Sequence, residues 1–217
     1  MSSTGEHDRS ASSADLPAAD LPEEEILRAQ VYALLARLLA RPAGAEFLAD
    51  VGQAQGDGSP FGQALDQLAA SCRAAAEAKD GAGAVEEEFN LLFIGVGGGI
   101  LSPYASYYLT GFLHEKPLAE LRGDMARLGI ARADDVKEPE DHIAALCEMM
   151  AGLITGAFDE PAGLAEQRRF FDRHVGSWAA RFFADLETTP SAAFYRAVGT
   201  LGLRFLEVEA RAFDMAE

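Results

Sequence analysis

The chain has 217 residues, about half of them apolar, enough for one sizeable core. Eighteen Lys and Arg face 35 Asp and Glu, a net charge of −17 at pH 7. That balance argues against a partner held through phosphate charge, whether nucleic acid or an anionic membrane surface, and favours attraction of basic partners. Two cysteines, Cys72 and Cys147, are too few for a disulfide framework and fit no zinc spacing. They point to a reducing compartment. With no secretory signal and no apolar run long enough to span a membrane, the expected location is the cytoplasm.

Residues 1–22 are rich in Ser, Ala and Asp and read as a disordered acidic tail. Residues 23–217 read as one all-α, multi-helix domain. Leu27, Val31, Leu34, Leu35 and Leu38 recur at helical spacing between Glu23 and Ala40. The loop Gly56 to Pro60 separates this region from a stripe of Phe61, Leu65, Leu68 and Cys72. A helix is expected over Glu86 to Phe93, and its run of three glutamates reads as a solvated face. A Gly-rich loop follows, from Gly95 to Tyr104.

Leu118, Leu121, Met125 and Leu128 mark the next helix. The polar connector Ala131 to Glu140 reads as a surface loop or a hinge. At Glu138-Pro139 the proline suits a first helical position, with Glu140 and Asp141 in the first turn. The cleanest stripe runs from Ile143 to Ile154, interrupted by Glu148. Phe171, Val175, Trp178 and Phe182 continue the period, Thr189-Pro190 reads as a cap, and Phe194 to Val208 forms the last helix, with Gly199 and Gly202 inside it.

Catalytic signatures are sparse. The glycines at 95–99 match neither a dinucleotide fingerprint nor a P-loop. The histidines lack metal-ligand spacing. Ser106 and His142 would be the pair for a small hydrolase or transferase, but no nucleophile elbow surrounds the serine. A helical adaptor for another partner is the remaining alternative.

Three stretches carry a resemblance. Glu88 to Gly95 is similar to the aromatic-x-x-Leu-Phe-x-Gly helix end of the TorD/DmsD family, the chaperones of molybdenum-containing oxidoreductases. Ser102-Pro103-Tyr104-Ala105-Ser106-Tyr107-Tyr108 resembles its Pro-aromatic-x-Ser-x-Tyr segment. Glu138-Pro139-Glu140-Asp141-His142-Ile143 resembles its E-P-x-D-H-[IL] signature. A Gly-rich insert, Val96 to Ile100, replaces the more usual Gly-Pro turn, and Tyr104 stands where some members carry Trp. The resemblance implies an all-helical, non-enzymatic chaperone without a cofactor. Its expected partners are a twin-arginine signal peptide and the apo form of a molybdenum-cofactor oxidoreductase. It would be a monomer or a domain-swapped dimer, with no metal and no nucleic acid. Pro103, Tyr104, Ser106, Tyr107, Glu138, Asp141 and His142 are the expected peptide-binding residues. Asp141 and Glu138 would meet guanidinium, and His142 would titrate near neutrality.

Overall fold

Helix α1, Glu23–Ala40, opens with three glutamates in its first turn, where the helix dipole favours acids. In this computed structural model residues 21–95, 99–132 and 136–215 are described. Those residues contain no strand, and a lone antiparallel bridge joins Tyr104 to His142. After α1 come α2 (Ala45–Val51), α3 (Pro60–Glu77), α4 (Gly81–Phe89), α5 (Ala105–Thr110) and α6 (Lys116–Arg127). The chain continues through α7 (Ile143–Thr155), α8 (Leu164–Phe170), α9 (Ala179–Thr188) and α10 (Tyr195–Met215). Wider π-type turns extend α4 over Asn90–Ile94 and α8 over Phe171–Gly176. None of the described helices is long and apolar enough to cross a membrane.

Helix α7 is the spine. Ten of its residues are buried, and α1 runs along it. Helix α10 packs against α9 and α3. Trp178, Tyr32, Tyr195, Phe182 and Phe213 are among the largest side chains in the common core. Gly199 and Gly202, which lower helix propensity, leave α10 unbroken because they let α9 approach. A Cβ on Gly202 would lie 2.3 Å from the Phe183 ring, and one on Gly199 2.6 Å from the Glu187 nitrogen.

Two expected helix starts move. Thr189 does not open a helix: its hydroxyl donates back to the Asp185 carbonyl at 2.6 Å and closes α9. The cap of α10 comes from Glu88, whose carboxylate accepts the backbone N–H groups of Ala193, Phe194 and Tyr195 at 2.8–3.0 Å. Part of the supposed solvated face therefore holds a helix start 105 or more residues away. Pro139 does not begin α7 either. The N-cap is His142, whose Nδ1 accepts the Ala144 N–H at 3.1 Å. Glu140 and Asp141 thus precede the helix.

Buried polar networks tie the layers together. Glu209 of α10, fully buried, accepts from the Arg28 guanidinium at 2.7 and 2.9 Å and from the Tyr32 hydroxyl at 2.9 Å. Asp124 of α6 meets His174 Nε2 at 2.8 Å and the Arg173 guanidinium at 2.9 Å. Against the cost of burial, these partners hold the Asp124 carboxyl below its ordinary range. Of the expected hinge, residues 133–135 lie outside the described residues, as do 96–98 of the Gly-rich loop and 1–20 of the expected tail.

Candidate functional site

The stretches 103–107 and 138–142 meet. The Ile143 N–H donates to the Pro103 carbonyl at 2.9 Å, and the Ala105 N–H to the Asp141 carbonyl at 3.0 Å. The Tyr104 and His142 rings cross edge to face, with centroids 5.1 Å apart. The Tyr104 hydroxyl donates to Glu138. Burial, then this hydrogen bond, pushes the Tyr104 phenol above its usual range. Thirty-odd residues of intervening chain, including α5 and α6, fold out and back to make this corner.

Its members have unequal access to a ligand. Asp141 is 1% exposed, and its Oδ2 accepts the Ser106 N–H at 2.8 Å, capping α5. Its carboxylate holds the corner together and does not face a ligand. Glu140 is buried and bound by Arg122 at 2.8 Å, with Arg132 at 3.7 Å. Against burial, these guanidinium groups keep the Glu140 carboxyl below its ordinary range. Pro103 and Ser106 are buried. The Ser106 hydroxyl has no hydrogen-bond partner among the described residues, so no base activates it. His142 does not titrate near neutrality: burial lowers its pKa to about 4, which keeps the imidazole neutral and able to cap α7. Tyr107 and Glu138 are the exposed members, and Tyr104 is half-buried.

Glu138 and Glu140 also edge a groove of about 870 Å³ beside α1 and α7, a feature the sequence reading missed. Its α1 wall carries Ala29, Ala33, Ala36 and Ala40, spaced 4, 3 and 4 apart and hence on one helical face. Small side chains there leave the space open. The α7 wall includes Ala145, Glu148, Met149 and Gly152; Ile130, Val136 and Phe158 add apolar surface, and Arg37, Arg41 and Arg132 also line the groove. The volume lies within the range that encloses most of a small ligand. The alanine spacing was visible in the sequence, but apolar periodicity picks out the large residues that fill a core and passes over small ones that line a gap. Among the described residues no group of three His, Cys, Asp or Glu is arranged to hold a metal ion.

Residues 54–184 match the model of the nitrate reductase delta subunit family. Over 138 residues the chain is 30% identical to the chaperone protein TorD of a Psychrobacter species, covering 60% of this chain and 62% of that one. It is 29% identical over 115 residues to TorD of Vibrio atlanticus, covering 49% and 54%. The chain thus spans only about half to three-fifths of the length of these curated relatives. A crystal structure from Archaeoglobus fulgidus, described as a redox enzyme maturation protein, superimposes with a TM-score of 0.55 at 18% identity, covering 83% of this chain and 94% of that one. That likeness speaks for the fold. With more than half its length matched by the family model and its relatives named TorD, the chain belongs to the nitrate reductase delta subunit family, among proteins of the TorD type.

Proposed function

We propose that the protein is a chaperone for a molybdenum-cofactor oxidoreductase of the dimethyl sulfoxide, trimethylamine oxide or formate class. It binds the enzyme's twin-arginine signal peptide in the cytoplasm and assists maturation before export, without turnover of its own. The observation that carries this reading is the apolar groove that runs up to Glu138 and Glu140 at the corner, with Glu148 on its wall. A twin-arginine signal has a basic segment followed by an apolar one, and a groove of this composition suits both. Each large apolar side chain seated in it contributes roughly 1.5–3 kcal/mol. The net charge of −17 steers the basic end inward, less so at high salt. The naming of the relatives as TorD chaperones supports the same reading.

The test is capture of the untagged client from the native cell, followed by calorimetry with its N-terminal peptide. The expected client is a redox enzyme subunit with an arginine pair near its N-terminus, and replacing both arginines weakens binding. Binding indifferent to that replacement counts against the reading. A serine hydrolase at Ser106 has no support, since the hydroxyl is buried and lacks a base.

A further inference from the structure

Three carboxylates line the groove, Glu138, Glu140 and Glu148, with Asp141 beside them in the corner, and all but Glu148 are already committed. Asp141 caps α5, Glu140 is bound by Arg122 and Arg132, and Glu138 accepts from Tyr104. Glu148 lies one turn and a half into α7, in the wall formed with Ala145, Met149 and Gly152. It takes no hydrogen bond and no ion pair within 4 Å among the described residues, and Arg41 is the cation that bears on it. The other groove arginines have partners elsewhere. Arg37 lies over the Phe47 ring at 4.7 Å and donates to the carbonyls of Arg41 and Pro42, while Arg132 turns to Glu140.

We infer that Glu148 is the specificity-determining carboxylate of the groove, receiving one arginine guanidinium of a peptide whose apolar residues lie against the alanine face of α1. This rests on the proposed peptide-binding role and assigns the cation to a residue outside the expected corner. Glu148 is exposed on the groove wall, so its carboxylate is hydrated in the empty groove and loses that water only when a ligand covers it. A planar guanidinium satisfies it with two parallel N–H···O bonds, and the surrounding apolar surface strengthens those bonds. A lone cation without apolar neighbours would leave the groove empty, and an apolar peptide without a cation would bury Glu148 unpaired. The site therefore selects a segment that carries both.

The test uses the full chain and two synthetic peptides of about 20 residues, one with Arg-Arg before a Leu/Ala run and one with Gln-Gln in its place. Because Glu148 supports no other residue, Glu148→Gln is expected to fold as the wild type does. It should lower affinity for the Arg-Arg peptide about tenfold or more, the loss expected for a charge-assisted pair. It should leave the Gln-Gln peptide within about twofold, and Glu148→Asp should recover part of the loss. Arginine-dependent binding that Glu148→Gln leaves untouched overturns this assignment alone. Failure of the wild type to bind either peptide overturns it together with the chaperone reading. Equal losses for both peptides also overturn it, because they mark a change in groove shape.

Discussion

Replacing Asp141 by alanine separates a residue that builds the corner from one that touches a ligand. The Asp141 carboxylate sits 2.8 Å from the Ser106 N–H at the start of α5 and is 1% exposed. Alanine removes the acceptor and leaves a buried donor unpaired, because no water reaches it easily. A charge-assisted bond of this kind is worth about 1.5–3 kcal/mol, and loss of a helix cap alone costs about 0.5–2 kcal/mol. The expected loss is therefore about 2–3 kcal/mol. For a chain of this size that lowers the melting midpoint by about 5–10 °C. Asp141→Asn keeps an acceptor oxygen without the charge and should lose about half as much. Thermal melts followed by far-ultraviolet circular dichroism measure both. A midpoint unchanged in Asp141→Ala, together with lost peptide affinity, would refute the capping role and make this carboxylate a direct ligand.

Acid should weaken the fold through His142. Its pKa is about 4 in the folded chain against about 6.5 unfolded, so the unfolded state binds the proton first. The contribution is whole above pH 6.5 and drains away as the pH falls toward 4, up to about 3 kcal/mol. Urea unfolding at pH 7.5 and 4.5 should show a shallower pH dependence in His142→Asn, and identical slopes would mean that the imidazole titrates normally. Glu209→Ala leaves the Arg28 guanidinium with only Glu25 and Gln167 and takes the acceptor from the buried Tyr32 hydroxyl, and should cost about 3 kcal/mol by the fluorescence of Trp178, whereas Glu209→Gln, which keeps an acceptor for both, should lose less. A loss in the alanine variant below about 1 kcal/mol would show that solvent already shares that pair.

The helical class and most helix positions follow from period alone, and α1 begins and ends where the sequence places it. Which face it buries does not follow. Leu27 is 55% exposed, while Ala29 and Tyr32 are buried, because apolar residues surround this helix and only its neighbours decide which side turns inward. Pro139 misplaces the start of α7 because a histidine, an uncommon cap, takes the role three residues later. The meeting of residues 103–107 with 138–142 came from the family resemblance, since no local rule links segments so far apart. The roles within that corner were harder to read. Residue type marks Asp141 as a carboxylate for guanidinium, but burial assigns it to the backbone of α5. Glu148 entered the sequence reading only as an interruption in an apolar run. Its place on the groove wall needs the alanine face of α1 opposite, a relation between two helices 100 residues apart in the chain.

The carboxylate that starts α10 belongs to α4. Three amide protons at the head of α10 find their acceptor only once α4 has come alongside it. The C-terminal helix is therefore conditional: its first turn records that the rest of the molecule has already assembled, and a nascent chain could not complete it in isolation. Order at the end of the polypeptide thus reports on order near its middle.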